Sequence, residues 1–245
     1  MKTAQKTLLV TRPSPDNKAT ARLLQKAGFE VELLPVLSFQ VLDFDPPGKN
    51  ISAIAVTSAN ALNALEQKGI LDELRQIPLF AVGRKTAQKA KSLGFENVEA
   101  AGGNLVSLAD LIMSRNITGG EIFYPAARHL SGDLAAMLGE HDIAVKTITA
   151  YQMEPLDKLN DHQRTMLGGD SIGAGLFYSR RSAEIFIELC AFGGVNAHNL
   201  PVLCLSQNVA EAFRGAGFKQ IHISSAPNQQ AMVALALSFA AINSK

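Results

Sequence analysis

The sequence predicts an α/β fold made of parallel sheets flanked by helices. Short apolar runs stop abruptly at a polar turn, and a helical segment follows each of them. These runs are continuously apolar rather than alternating, which is typical of parallel strands that helices cover on both faces. In addition, one strand–turn–helix segment recurs later in the chain, which favours two similar halves.

The first strand–helix–strand unit lies near the amino terminus. Leu8–Val10 is a predicted strand, and Ser14 is placed to cap a helix with Pro15 at its first position. The helix is expected to stop at Gly28 in a left-handed conformation, and Phe29–Leu34 forms the next strand. This order is the building unit of a parallel sheet.

The same pattern recurs along the chain. Its further copies are Ile54–Val56 with a helix to about Lys68, Leu79–Val82 with a helix to Gly94, Ile122–Tyr124 with a helix near 131–138, Leu176–Tyr178 with a helix from about Ser182, and Val202–Leu205 with a helix to about Gly217. The segments rich in Gly, Pro or Asn at 43–50, 114–120, 167–175 and 192–199 are expected to be loops.

An internal repeat relates two of these units. Segment 79–98 aligns with segment 202–221 at a constant offset of 123 residues, and Ser58 and Ser179 follow similar strands at an offset of 121. The alternative is that any two strand–turn–helix units look alike. We favour two similar α/β domains.

Two extended stretches, 33–42 and 148–155, lie where the repeat changes register. Neither has helical periodicity, so they can be paired connectors by which the chain leaves one domain and returns to it. We therefore predict a discontinuous first α/β domain, residues 1–35 with 153–245, and an inserted second α/β domain, residues 36–152. A two-stranded extended connector would join them.

The charge balance limits the partners. Among 245 residues, 23 Lys+Arg face 22 Asp+Glu, a formal net charge of +1. Nucleic acids and acidic membranes bind clustered cations in excess, so we expect neither as a partner. The apolar run within residues 1–10 is too short for a signal peptide, and the apolar stretch 231–242 is too short for a membrane span. We therefore expect a cytoplasmic protein.

The sequence lacks the motifs of common catalytic centres. Its five histidines are scattered without ligand spacing, so we expect no metal site. The GxGxxG, Walker and GxSxG patterns are missing, which argues against a nucleotide enzyme and against a hydrolase. Cys190 and Cys204 have no paired-motif spacing, and Cys204 lies in an apolar strand, where a core role is expected.

Polar turns at the carboxyl ends of the predicted strands are the candidate binding site. Ligands bind at this edge of open α/β sheets, where helix amino ends expose N–H groups and a partial positive charge. Guanidinium and hydroxyl groups add donors for carboxylates or phosphates, so a cleft between two such domains could hold a large polyanion. The alternative is that the hydroxyls only cap helices and the cations are only solvated. The candidates are Arg12, Thr57, Ser58, Asn60, Gly83, Arg84, Lys85, Thr86, Ser179, Arg180, Arg181, Ser206, Gln207 and Asn208.

Five segments carry a family resemblance. They are LLPVLSFQVL at 33–42, VTSANAL at 56–62, AVGRKTA at 81–87 with LGF at 93–95, GGN at 102–104, and ITAYQ at 148–152. In this order and spacing, the chain resembles uroporphyrinogen-III synthases over essentially its whole length.

The resemblance implies a cofactor-free enzyme of tetrapyrrole biosynthesis with two α/β domains. Such an enzyme closes linear hydroxymethylbilane to uroporphyrinogen III, inverting ring D and releasing water. The substrate carries four acetate and four propionate groups, which fits an anion site. Because the bilane can also cyclise unaided to the non-inverted isomer, the enzyme's task is chiefly to position it. We expect a monomer whose partner is the small-molecule tetrapyrrole substrate.

The resemblance also assigns site residues. Tyr151 matches the tyrosine of the family's ITxYQ segment and is the candidate proton donor for departure of the hydroxyl; its alternative role is packing. Thr57, Ser58, Ser179 and Gly83 match the family's strand-end turns.

One departure from the family pattern concerns the last repeat. Ser206-Gln207-Asn208-Val209 stands where many members carry a threonine pair, which puts hydroxyl contacts at that helix start in doubt. Arg128 joins the candidate ligands on charge alone.

The sequence leaves two alternatives to the synthase. The first is a non-catalytic, two-lobed binding module for a polyanionic small molecule. The second is a nucleotide-linked transferase, which the missing glycine motifs disfavour.

Overall fold

A computed structural model describes residues 7–115, 117–130 and 132–243. Three sequence expectations lie partly outside the described residues. They are the short apolar run within residues 1–10, of which 1–6 are not described, the loop at 114–120, without residue 116, and the helix near 131–138, without residue 131. The chain divides into two units. Unit 1 comprises the residues up to Ser38 together with those from Glu154 onward, and unit 2 is Phe39–Met153.

Strands and helices alternate along most of the chain. The strands are β1 (Thr7–Val10), β2 (Val31–Leu33), β3 (Leu37–Val41), β4 (Ile51–Val56), β5 (Leu79–Ala81), β6 (Val98–Ala100), β7 (Glu121–Ala127), β8 (Val145–Pro155), β9 (Ile172–Phe177), β10 (Val202–Cys204) and β11 (Ile221–Ile223). The helices are α1 (Asp16–Lys26), α2 (Ala59–Lys68), α3 (Leu71–Leu74), α4 (Arg84–Ser92), α5 (Leu105–Met113), α6 (Leu134–Gly139), α7 (Asp161–Gly168), α8 (Arg180–Phe192), α9 (Gln207–Gly215) and α10 (Gln229–Asn243).

The strands form one sheet in each unit. The order is β11-β10-β9-β1-β2 in unit 1 and β3-β8-β7-β4-β5-β6 in unit 2. Neighbouring strands are parallel throughout unit 1 and from β8 to β6 in unit 2. Read from β6 to β8, the second sheet repeats the order of the first, so that β4 corresponds to β9 and β7 to β1. The predicted α/β fold with similar parallel sheets is confirmed.

The chain passes between the units within two strands. It leaves unit 1 inside β3 and returns inside β8, and these two strands are neighbours in the sheet. They occupy the stretches 33–42 and 148–155, for which the sequence predicts an extended connector.

Helices cover both faces of the sheet in unit 2. Ile54 and Val56 of β4 pack with residues of α2, whereas Ala53 and Ala55 pack on the opposite face with residues of α5. All four side chains are fully buried. This two-sided burial explains why the strand is apolar at consecutive positions.

The internal repeat corresponds to β5–α4–β6 and β10–α9–β11. Helices α4 and α9 are each nine residues long, and each is followed by a glycine with positive φ, +89° at Gly94 and +80° at Gly217. The next residue, Phe95 or Phe218, is buried and bonds its N–H back to the helix. Because glycine adopts this φ at little cost, the repeat records a shared way of stopping a helix.

The predicted start of the first helix is wrong by one residue. Helix α1 begins at Asp16, so that Pro15 rather than Ser14 occupies the capping position, and no side chain caps it. The carboxylate of Asp16 in the first turn interacts favourably with the positive end of the helix dipole. At the other end, Gly28 has φ +93°, as predicted.

The loop predicted at 167–175 is wrong at both ends. Helix α7 extends to residue 168, and β9 begins at Ile172 as a strand that is buried at every position. Gly175 lies inside this strand. A Cβ at this position would lie only 2.8 Å from Phe177 Cε2, which explains why the residue is a glycine. The glycine makes room for a core ring rather than for a turn.

Several elements go beyond the predicted ones, among them α5, α7, α10, β6 and β11. Helix α10 contains no charged residue, and its apolar residues occur on all of its faces, so it has no apolar stripe of 3.6-residue period. Within the described ranges, no helix combines the length and hydropathy that a membrane span requires.

Candidate active site

Strand β4 is followed by two adjacent hydroxyl residues, Thr57 and Ser58, both partly exposed. Ser58 has an extended backbone, and its Oγ accepts the backbone N–H of Asn60 at 3.2 Å, so it caps helix α2. This turn lies at the carboxyl end of a strand inside the sheet, where first-turn N–H groups favour an anion.

Two tyrosines from β7 and β8 lie behind this turn. Tyr124 places its hydroxyl 3.2 Å from Thr57 Oγ1, and the Ser58 side chain lies near enough to the Tyr151 phenol to lower its pKa. Only 3% of Tyr124 and 4% of Tyr151 are exposed. Each hydroxyl at the edge is therefore backed by a phenol held within the sheet.

The backbone and the core hold Tyr151 in place. It lies opposite Ala127 in the register of β7 and β8, and its carbonyl accepts the N–H of Arg128 at 2.9 Å. Its ring packs against Phe39, with 5.7 Å between the centroids. The position of the phenol thus follows from strand register and core packing.

Burial is the main cause that raises the pKa of both phenols. For Tyr124, the hydrogen bond with Thr57 lowers the pKa and the Asp133 carboxylate raises it further. For Tyr151, the hydrogen bond with Ser58 lowers the pKa and Tyr124 raises it further. Because Ser58 Oγ already accepts a backbone N–H, its own O–H can donate to Tyr151 Oη, which leaves the phenol proton for another acceptor.

Asn60 and Arg128 flank the hydroxyl pair. Asn60 Nδ2 donates to Met153 Sδ at 3.4 Å, which links the start of α2 to β8. Arg128 directly follows β7, and its side chain is exposed.

The turn after β5 begins helix α4. Gly83 occupies the capping position in an extended conformation, with no side-chain cap. A Cβ at Gly83 would lie 3.5 Å from the Cα of Gly103, so two turns approach closely here. Arg84 and Lys85 are exposed, whereas Thr86 is buried.

In unit 1, the guanidinium of Arg12 is engaged by its own surroundings. Its Cζ lies 4.3 Å from the ring centroid of Tyr178, and it pairs with Asp16. Its Nη1 donates to Gln229 Oε1 at 2.9 Å and to Thr20 Oγ1 at 3.4 Å. A substrate carboxylate would have to replace at least one of these partners.

Tyr178 serves this cluster through its ring. Its hydroxyl is buried, and neither that oxygen nor Gln229 Nε2 has a hydrogen-bond partner within the described part of the chain. Burial is the main cause that raises the pKa of Tyr178, and the neighbouring Gln229 and Arg12 side chains lower it.

The turn after β9 repeats the capping arrangement. Ser179 Oγ accepts the N–H of Ser182 at 3.1 Å and caps helix α8. Arg180 pairs with Glu184 at 2.7 Å, and Arg181 is exposed.

The turn after β10 lacks such a cap. Ser206 occupies the capping position of α9 without a side-chain hydrogen bond, and Gln207 and Asn208 are the first residues of the helix. Asn208 Oδ1 accepts a hydrogen bond from Arg180 Nη1 at 3.4 Å, which joins the turns after β9 and β10.

The structure thus gathers only part of the predicted set. Thr57, Ser58, Asn60, Tyr151 and Arg128 lie together at the end of β4, where Ser58 bonds to Asn60 and Tyr151 bonds to Arg128. Gly83, Arg84, Lys85 and Thr86 follow the neighbouring strand β5, Arg12 belongs to the Tyr178 cluster, Arg180 joins Asn208, and Ser179, Arg181, Ser206 and Gln207 lie in the same two turns of unit 1.

Sequence reasoning missed Tyr124, Tyr178 and Gln229. One signal was available, because the chain has three tyrosines and every one of them lies in these clusters. Tyr178 also directly precedes Ser179, as Thr57 precedes Ser58.

The cysteines do not contribute a nucleophile. Both are buried, Cys204 as the predicted core residue, and burial raises the pKa of each thiol to about 12. Among the described residues, no group of His, Cys, Asp or Glu has an arrangement that could hold a metal ion.

A family model described as uroporphyrinogen-III synthase HemD matches residues 18–234. No curated protein matches the chain significantly.

Two solved structures are similar to it. Uroporphyrinogen-III synthetase from Helicobacter pylori is 19% identical with a TM-score of 0.68, over 95% of this chain and 99% of that one. A mutant uroporphyrinogen III synthase from the extremely thermophilic bacterium Thermus thermophilus is 17% identical with a TM-score of 0.55, over 97% of this chain and 99% of that one. At these identities the likeness shows the fold.

Proposed function

The chain belongs to the uroporphyrinogen-III synthase family, and from this premise we propose how its residues close hydroxymethylbilane to uroporphyrinogen III. The reaction inverts ring D, closes the macrocycle and releases water. The observation that carries the proposal is the cluster of Thr57, Ser58 and Tyr151 at the edge of a sheet.

Three cations of unit 2 are the main proposed ligands of the substrate's acetate and propionate groups. Arg84, Lys85 and Arg128 are exposed and form no ion pair within the described residues. A substrate carboxylate can pair with them without displacing a carboxylate of the protein. Arg12 and Arg180 remain proposed ligands, but each would exchange an existing partner.

Helix amino ends supply the neutral donors. Gly83 and Ser206 leave the first N–H groups of α4 and α9 without a side-chain cap, so these groups are available to carboxylates. The further proposed contacts in these first turns and in those of α2 and α8 are Asn60, Thr86, Ser179, Arg181, Gln207 and Asn208.

Tyr151 is the proposed proton donor. The bilane's C–O bond breaks as its hydroxyl oxygen takes a proton and leaves as water, and ring closure later releases a proton that restores the phenol. The raised pKa keeps Tyr151 protonated at neutral pH, and the hydrogen bond with Ser58 lessens the cost of losing that proton.

Orientation of ring D is the larger task. The unguided reaction yields the non-inverted isomer, so the protein must hold the ring where its substituted carbon meets the reactive methylene. Orientation of this kind can contribute about 7–11 kcal/mol, which removes the need for a stronger acid or a nucleophile.

Isomer analysis tests the proposal. Purified protein given hydroxymethylbilane is expected to yield isomer III in excess over the spontaneous isomer I. Isomer I alone, from folded protein, would contradict it, and substrate-dependent protection without turnover would favour a binding module instead.

Three further properties are part of the proposal. The two units divide at Ser38/Phe39 and Met153/Glu154, next to the predicted domain boundaries, which supports a domain of residues 1–35 with 153–245 and an inserted domain of 36–152. We also propose a monomer located in the cytoplasm, as expected for an enzyme of tetrapyrrole biosynthesis.

A further inference from the structure

We infer that Tyr124 is a positioning residue of this site, because it fixes the Thr57 hydroxyl in the orientation that guides ring D. The inference rests on the proposed function. It assigns a role to a residue that neither the motifs nor the charge pattern of the sequence indicated.

Thr57 is the more exposed member of a hydrogen-bonded pair with Tyr124. Thr57 is partly exposed, whereas Tyr124 is 3% exposed and its Oη lies 3.2 Å from Thr57 Oγ1. A threonine hydroxyl offers one donor and two acceptor positions, so one contact with Tyr124 leaves capacity for a substrate group. Tyr124 therefore acts through Thr57.

Tyr124 is a rigid anchor. It belongs to β7, which lies between β4 and β8, and it packs in the core with Phe80, Leu108 and Leu134. A hydroxyl tied to such a ring loses rotational freedom before the substrate arrives, which is the physical meaning of preorganisation.

Unit 1 has no tyrosine at the position equivalent to Tyr124. The pairing of Phe123 with Ile54 in unit 2 corresponds to that of Leu9 with Gly175 in unit 1, so the counterpart of Tyr124 is Val10. Valine has no hydroxyl, so the phenol behind the turn is particular to unit 2.

The test is a double-mutant cycle on Tyr124→Phe and Thr57→Val, read by isomer ratio and by kcat and KM. We expect Tyr124→Phe to lower kcat about three- to tenfold, the range of one net hydrogen bond, with KM changed less than about twofold. The share of isomer I should rise, because substrate that is held less firmly closes without inversion. In the Thr57→Val background, Tyr124→Phe should have no further effect.

Thr57→Ser is the matched control, because it keeps the hydroxyl and should keep most of the isomer III yield. Additive effects of the two changes, or an unchanged isomer ratio in Tyr124→Phe, would overturn the inference. If Tyr124→Phe fails to fold, Thr57→Val against Thr57→Ser decides, since equal isomer ratios in both would also overturn it. Wild-type protein that makes only isomer I would instead refute the proposed function itself.

Discussion

The turns after β4 and β9 have the same backbone conformation at the helix cap but differ in the side chains that they present. Ser58 and Ser179 each cap the following helix, but the residue before the cap is Thr57 in unit 2 and Tyr178 in unit 1. Thr57 directs a hydroxyl to the sheet edge, whereas the ring of Tyr178 lies under Arg12. The repeated scaffold thus provides a partly exposed hydroxyl in one unit and internal support for an arginine in the other.

The cations differ in the same way. Arg12 and Arg180 of unit 1 have carboxylate partners four residues further along the chain, while Arg84 and Lys85 of unit 2 have none among the described residues. We therefore expect substitution of these unpaired cations in unit 2 to weaken substrate binding more than matched substitution of the paired cations in unit 1.

The largest effect is expected for Tyr151→Phe. Loss of a proton donor should lower kcat about a hundredfold, the low end for acid–base catalysis, while the free energy of unfolding changes by less than about 1 kcal/mol. Steady-state kinetics and chemical denaturation measure the two quantities. Tyr178→Phe is the matched control from unit 1, and an unchanged kcat in Tyr151→Phe would remove Tyr151 from the mechanism.

The next effect concerns substrate affinity. Arg84→Gln, Lys85→Gln and Arg128→Gln should each raise KM, with the strongest single change about tenfold, because each removes a charge that can pair with a substrate carboxylate. Added salt should weaken wild-type binding more than binding to the triple variant. Arg180→Gln, whose cation is already paired, should change KM by less than about twofold; a larger change there than in unit 2 would reverse the comparison.

A smaller effect separates two buried phenols by stability. Tyr124→Phe loses a hydrogen bond with Thr57 and should cost about 1 kcal/mol, whereas Tyr178→Phe removes a buried hydroxyl that has no partner among the described residues and should be neutral or slightly stabilising. Urea denaturation measures both. Equal losses would show that the Tyr178 hydroxyl is satisfied in solution.

The smallest effect is a pH dependence. Burial raises the pKa of Tyr124, Tyr151 and Tyr178, so the folded chain holds their protons more tightly than the unfolded chain, in which tyrosine titrates near 10. Their contribution to stability is fully present below about pH 10 and is lost as the pH rises through the folded-state values. In a pH titration, tyrosinate absorbance should appear at higher pH in the folded than in the unfolded protein. Ionisation at the same pH in both states would contradict the raised pKa values.

Residues that end helices and strands made much of the fold predictable. Gly28, Gly94 and Gly217 all stop helices with positive φ, and the apolar strands before Thr57 and Ser179 are where the sequence places them. Helix α10 was not predicted because it has no charged residue and its apolar residues show no helical period. The loop at 167–175 was wrong because Gly175 serves core packing.

The site was predictable at its surface and not in its support. Thr57 and Ser58 stand at a strand end that the pattern marks, and the pairing of Arg12 with Asp16 has a spacing of four residues that the sequence displays. The contacts of Tyr124 with Thr57 and of Arg12 with Tyr178 depend on which strands become neighbours, and that information lies in the sheet order.

The interrupted path of unit 1 sets an order of events on the ribosome. Unit 2 is complete once Met153 has emerged, but β1 must wait for β9, which begins at Ile172, before its second side is paired. Until then one edge of β1 is unpaired although unit 2 has already been synthesised. Unpaired strand edges of this kind can pair with other chains. The design that gives both lobes one architecture therefore leaves the earliest-made strand waiting for its partner until late in translation.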